Sequence, residues 1–236
     1  MSEIILPIKN SDKNYHLHPS KILCLGLNYA EHVKEHDIEH ASNQYKEPPK
    51  EPLLFPKTPN CLIGPEQPIT IPKVLEETSY PRVDYEGELA LIINQRCKNI
   101  SKDHYMDYIF GFCCFNDVTA RDLQRHDINS KKPWFKSKSL DTFGPIGPLI
   151  VRPDDIDNVQ NLKLETQLNG KIVQKANTRD MVFNIAEILE YITKYFTLEE
   201  GDMVVTGTPS GIGPIQKGDT VEVEIEQIGT LSNPVQ

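Results

Sequence analysis

Two glutamates stand two residues apart in Tyr85-Glu-Gly-Glu-Leu-Ala-Leu-Ile-Ile93, the stretch of this chain with the most chemical content. Side chains alternate faces along a strand, so Glu86, Glu88, Ala90 and Ile92 share one side, and Tyr85, Gly87, Leu89, Leu91 and Ile93 the other. Both sets are apolar further along, the pattern of a strand buried on both faces. Two carboxylates there repel each other and are costly to desolvate unless a cation or hydrogen-bond donors compensate them. A hard divalent ion does so, and oxygen ligands suit magnesium or manganese. For the pair alone, a solvated strand end is the alternative. A third carboxylate, Asp117, follows the apolar run Tyr108-Ile-Phe-Gly-Phe-Cys-Cys-Phe115, where a buried strand would leave its sheet. Beyond it, Arg121 and Gln124 can line a polar pocket, and Lys138 offers an anion partner; taken singly, each reads more readily as a solvated side chain.

A second cluster is His32-Val-Lys-Glu-His36. It spells H-x-x-E-H, the helix signature of a class of zinc peptidases, with two histidines four apart on one helical face. The stretch around it holds few apolar residues to pack such a helix, which counts against zinc.

These residues need elements to position them. Lys21–Gly26 reads as a buried strand, followed by an Asn28 cap with Glu31 three residues on and a short helix carrying His32, Glu35 and His36. Residues 37–52, charged and poor in apolar side chains, read as a surface loop. A turn and short strand are expected over Leu62–Pro72, strands over Tyr85–Ile93, Tyr108–Asn116, Met203–Thr206 and Thr220–Ile225, and an extended segment over Phe143–Val151. Leu162–Leu168 and Lys171–Gln174 flank Asn169-Gly170, the sequence of a type I′ hairpin turn. One good helix is expected from Asn184, a cap with Glu187 three residues on, to Phe196, burying Ile185, Ile188, Leu189, Ile192 and Phe196. Eighteen prolines and thirteen glycines chop the rest into short pieces. The expected class is therefore α+β and β-rich, with mixed sheets and few helices.

At 236 residues, with 38% hydrophobic and 25% charged, the chain can build a core without staples. A net charge of −9 argues against nucleic acid as a partner. Five cysteines without a C-x-x-C pair read as core residues of a reducing compartment. With no long apolar run and no apparent signal peptide, a cytoplasmic protein without a membrane partner is expected.

Five segments together resemble the fumarylacetoacetate hydrolase superfamily, in particular its short, single-domain members. They are Gly26-Leu-Asn-Tyr-Ala-Glu-His32, Tyr85-Glu-Gly-Glu-Leu89, Phe115-Asn-Asp-Val-Thr-Ala-Arg-Asp122, Lys138-Ser139 with Gly144-Pro145, and Thr206-Gly-Thr-Pro-Ser-Gly-Ile-Gly-Pro214. The resemblance implies an N-terminal segment over 1–20 and a catalytic domain of that family's C-terminal fold over 21–236. It further implies that Glu86, Glu88 and Asp117 hold Mg2+, with Mn2+ as an alternative. His32 and Glu35 would form a catalytic dyad and Lys138 a catalytic cation, while Gln124, Thr208, Asn28 and Arg121 would bind a small 2-oxo acid. Hydrolysis of a C–C bond in 2,4-dioxo acids through an enolate is the implied reaction. Oxaloacetate decarboxylation or tautomerisation, isomerisation of 2-hydroxyhepta-2,4-diene-1,7-dioate, and a catalytically silent member are its alternatives, and a homodimer is the implied assembly. The chain departs from the pattern at Leu27, where acylpyruvate-cleaving members often have Arg, and in its longer, more charged loop.

Overall fold

The computed structural model describes residues 4–32 and 48–236. Its centre is a seven-stranded mixed sheet. In spatial order this runs β4 (Leu53–Lys57), β3 (Ile22–Gly26), β13 (Met203–Val205), β7 (Gly87–Ile93), β8 (Ile109–Asn116), β10 (Gly144–Val151) and β5 (Leu62–Ile63). Against it lies a four-stranded antiparallel sheet ordered β12 (Lys171–Asn177), β11 (Lys163–Leu168), β15 (Thr220–Ile225) and β16 (Gly229–Pro234). A three-stranded sheet joins β14 (Gly213–Ile215), β6 (Val83–Tyr85) and β9 (Thr119–Ala120), and β1 (Ile4–Pro7) pairs with β2 (Asn14–Leu17). The helices that matter here are α1 (Arg121–Asn129) and α2 (Ile185–Tyr195). The α+β, strand-rich class expected from the sequence is the class observed.

Alternation along β7 divides the core in two. Leu89, Leu91 and Ile93 pack with α2 residues Ile185, Ile188, Leu189 and Ile192 and with Leu164, Val223 and Ile225 of the outer sheet. Ala90 and Ile92 point the other way, toward Phe115, Val83, Ala120 and the N-terminal Leu6 and Leu17. Every β7 residue is buried, as a strand covered on both faces requires.

Local signals held where the chain itself supplies the partner. Asn184 and Glu187 form a reciprocal capping box at the start of α2. Asn169 and Gly170 both adopt positive φ, +53° and +76°, between β11 and β12, as a type I′ turn demands. All five cysteines are buried and unpaired. Among the described residues, no helix is long and apolar enough to cross a membrane.

Three expectations are corrected. Phe196 is 41% exposed, because α2 ends at Tyr195 and Phe196 is already extended (φ −116°, ψ 140°). Asn28 does not cap a helix; its side chain bonds Phe183 and Thr206 instead, satisfying main-chain groups of two other segments. The strand expected over Tyr85–Ile93 is broken at Glu86 into β6 and β7, which belong to different sheets. Residues 30–32 are helical, so His32 falls at the start of the expected helix. Glu35, His36 and most of the 37–52 loop lie outside the described residues.

Candidate active site

The break at Glu86 is built by its neighbours. Its N–H donates to the Asn116 Oδ1 (2.9 Å) and its carbonyl accepts the Asp117 N–H (2.8 Å). The two chains therefore peel out of the seven-stranded sheet together, at the ends of β7 and β8. Glu88 stays in the ladder opposite Phe115, on the face shared by Ala90 and Ile92. The result is a floor of three buried carboxylates, Glu86, Glu88 and Asp117, which can each offer one oxygen with all three within 4.8 Å of one another.

Basic groups surround two of the three. Lys138 Nζ donates to Glu86 (2.8 Å) and to Asp117 (2.6 Å). Lys57, 1% exposed, donates to the other Asp117 oxygen (2.6 Å). Glu86 also accepts Thr119 Oγ1 (3.0 Å) and the Arg121 guanidinium. Burial pushes the Glu86 carboxyl up, but Lys138, Arg121 and His32 outweigh it and hold the group well below the usual carboxylate range. Glu88 differs. Its carboxylate accepts the Gly207 N–H (2.5 Å) and forms no salt bridge among the described residues. Burial, then the negative neighbours Asp117 and Glu86, drive its carboxyl well above the ordinary value.

That asymmetry is the test of whether the residues fit a metal. An all-oxygen set of three carboxylates, one lacking a positive partner, is the donor chemistry of magnesium or manganese rather than of zinc. The residues fit such an ion.

The remaining predicted residues are placed as follows. Arg121 is buried and spreads over Asp84 (2.8 Å), Glu86 and the Gln124 Oε1 (2.6 Å). It thus braces Glu86, and Gln124 braces it. His32 is buried and within electrostatic reach of Glu86. Asn28 holds the Thr206 carbonyl (2.8 Å) beneath the Gly207 turn. Gly207 itself has φ +95°, and a Cβ there would lie 2.8 Å from the Asn28 Cβ, so the turn can approach Glu88 only with glycine. Thr208 Oγ1 donates to the Gly87 carbonyl (3.0 Å).

Sequence reasoning missed Lys57, Asp84, Asn116 and Thr119. Asn116 and Thr119 flank Asp117, and their nearness to it was a usable signal. Lys57 had none: it ends the run Leu53-Leu-Phe-Pro56 like any surface lysine, and only the pairing of β4 with β3 buries it.

Comparison with known proteins gives a family. Residues 21–236 match the family described as fumarylacetoacetate (FAA) hydrolase C-terminal. An uncharacterised protein of Methanocaldococcus jannaschii is 46% identical over 217 residues, covering 92% of this chain and 83% of that one. The mitochondrial oxaloacetate tautomerase of Xenopus laevis is 38% identical over 92% of this chain and 66% of its own. Among solved structures, a 5-carboxymethyl-2-hydroxymuconate delta-isomerase of Mycobacterium smegmatis superposes with TM-score 0.80 at 34% identity, over 95% of this chain and 85% of that one. A fumarylpyruvate hydrolase of Pseudomonas aeruginosa, in complex with Mn2+ and pyruvate, superposes with TM-score 0.85 at 25% identity, over 100% and 96%.

Proposed function

We propose a function from one premise: this chain belongs to the fumarylacetoacetate hydrolase family. It is a divalent-metal-dependent enzyme that interconverts the keto and enol forms of small 2-oxo acids, with keto–enol exchange of an oxaloacetate-like diacid as its native reaction. The observation that carries this reading is the convergence of Glu86, Glu88 and Asp117 on one point with the Lys138 ammonium beside it.

Glu86, Glu88 and Asp117 would hold magnesium or manganese. Bound there, the ion would supply Lewis acidity to the 2-oxo group and a template for the adjacent carboxylate. Lys138 brings a fixed positive charge to the oxygen that turns negative as C3 loses its proton, an electrostatic role of the oxyanion-hole type. His32 moves that proton, with Glu35 as the second member of the dyad. Gln124 recognises the substrate carboxylate, and Thr208, whose hydroxyl is given to the Gly87 carbonyl, fixes the turn beside it. Arg121 and Lys57 hold Glu86 and Asp117 in place through direct contacts.

Hydrolysis of a 2,4-dioxo acid is the second reading, supported by the full-length likeness to fumarylpyruvate hydrolase. It stands second for two reasons. Leu27 sits where acylpyruvate-cleaving members often carry Arg, and the tautomerase is more similar in sequence than that hydrolase. Five buried, unpaired thiols support a reducing, cytoplasmic setting.

The deciding assay follows the enol absorbance of oxaloacetate and the loss of acetylpyruvate in parallel, with magnesium and then with EDTA. Magnesium-dependent acceleration of ketonisation is expected, with acetylpyruvate consumed more slowly. Inertness toward both substrates would end this reading, and faster acetylpyruvate cleavage would reverse the order of the two.

A further inference from the structure

Gln174 is a polar residue buried where its neighbours are not. It lies on β12, an edge strand, and at 1% exposure it is the strand's only fully buried side chain. A buried carboxamide is costly unless its donors and its acceptor find partners. Gln174 finds them at the margin of the carboxylate floor. Its Oε1 accepts the Gly87 N–H (2.9 Å), and its Nε2 donates to Thr208 Oγ1 (2.8 Å) and the Pro209 carbonyl (2.9 Å). Thr208 Oγ1 in turn donates to the Gly87 carbonyl (3.0 Å), closing a ring that grips Gly87 by both its N–H and its C=O. The partners dictate how the carboxamide lies, because a backbone N–H only donates and a proline carbonyl only accepts.

Gly87 is the residue between Glu86 and Glu88. Its N–H belongs to the peptide plane leaving Glu86 and its C=O to the plane entering Glu88. Peptide units are rigid, so holding both planes sets the direction in which each glutamate side chain leaves the backbone. The same ring anchors Thr208 next to Gly207, whose N–H donates to Glu88. Thr166, opposite Gln174 in the β11–β12 register, closes the space over this peptide: a Cβ on Gly87 would lie 2.1 Å from its Oγ1.

We propose that Gln174 is a positioning residue for the metal-binding carboxylates, carrying the register of the outer sheet to Glu86, Glu88 and the Gly207 turn. It acts through Gly87 and Thr208. The proposal rests on reading Glu86, Glu88 and Asp117 as metal ligands, so its test measures the metal directly. Free Mn2+ is titrated by electron paramagnetic resonance against the wild-type protein, Gln174→Met, Gln174→Asn and a control, Gln160→Met. Gln160 bonds the Thr178 carbonyl and the Ile185 N–H at the far end of β12, so its loss removes comparable hydrogen bonds away from the site.

Below the melting transition, both Gln174 variants should bind Mn2+ about 10-fold or more weakly, the usual effect of losing a group that orients ligands, with kcat falling and KM changing less. The control should melt lower yet bind Mn2+ like the wild type. Gln174→Met nearly preserves volume, and Gln174→Asn keeps a carboxamide one methylene too short to reach; if one fails to fold, the other gives the comparison. Gln174 variants that melt lower but keep wild-type Mn2+ affinity would overturn the positioning role and leave the metal reading intact. A wild-type protein that binds no Mn2+ would overturn both.

Discussion

Asp117 is gripped by two buried lysines, Lys57 on one oxygen and Lys138 on the other, and the two have unequal duties. Lys138 also reaches Glu86 and stands over the point where the three carboxylates meet. Among the described residues Lys57 has no such second carboxylate; it compensates the charge of Asp117 from behind. Removing one partner of a buried pair leaves the other uncompensated, at a cost of ~3–5 kcal/mol. Lys57→Met should lose that much in urea unfolding, and adding Asp117→Asn should return part of it; a loss below 1 kcal/mol would mean Asp117 does not need the pair. The ligands themselves behave differently. Glu86→Gln, Glu88→Gln or Asp117→Asn should lower kcat by on the order of 10²-fold or more, the scale of one preorganised electrostatic group, while the far-ultraviolet spectrum stays native. EDTA should mimic all three in the wild type, and magnesium or manganese should reverse only the EDTA. Full activity in chelator would remove the basis of the assignment.

At the scale of elements, the site depends on strands distant in sequence being tied end to end. Asp202, buried ahead of β13, accepts the N–H groups of Ser20 (2.9 Å), Lys21 (3.0 Å) and Glu199 (2.7 Å) and the Ser20 hydroxyl (2.7 Å). It thereby fastens the start of β3 to the start of β13, which lie parallel with Met203 opposite Ile22. Burial raises its carboxyl, but the Glu199 N–H and the groups of Lys21 and Ser20 outweigh that and hold it below its usual value. A carboxyl depressed by folding stabilises above its unfolded value, near 3.8, and that contribution fades as pH falls through the lower folded value. Asp202→Asn should therefore cost ~2 kcal/mol near neutral pH, and the gap from wild type should narrow below pH 3.8. A gap that does not narrow in acid would show that geometry, not charge, is what Asp202 contributes. Elements such as α2 and the β11–β12 hairpin were legible because cap and turn residues act within a few positions of themselves. Glu86 was half legible. Its partnership with Glu88 followed from strand alternation, but the break that turns it toward Arg121 comes from Asn116 and Asp117, thirty residues later.

For the whole molecule, the family resemblance leads us to expect a homodimer. Sedimentation should show a single species of two chains at micromolar concentration, and a monomer there would refute it. Within one chain, the amino-acid sequence by itself determined what can be decided by short-range periodicity: a strand buried on both sides with a pair of carboxylates at its start, a third at the end of the next apolar strand, an amphipathic helix with its cap, and oxygen chemistry suited to a hard cation. Only the tertiary structure decided what compensates those carboxylates. Lys57, Lys138 and Gln174 reach the site from three separate elements, and no local pattern distinguishes a lysine at a strand end from one at the surface. Which of them is buried depends on which strands pair, and pairing is set by the fit of two apolar layers across the seven-stranded sheet. Whether burial or a basic neighbour prevails, as it does in opposite senses at Glu86 and Glu88, is therefore a property of the closed fold.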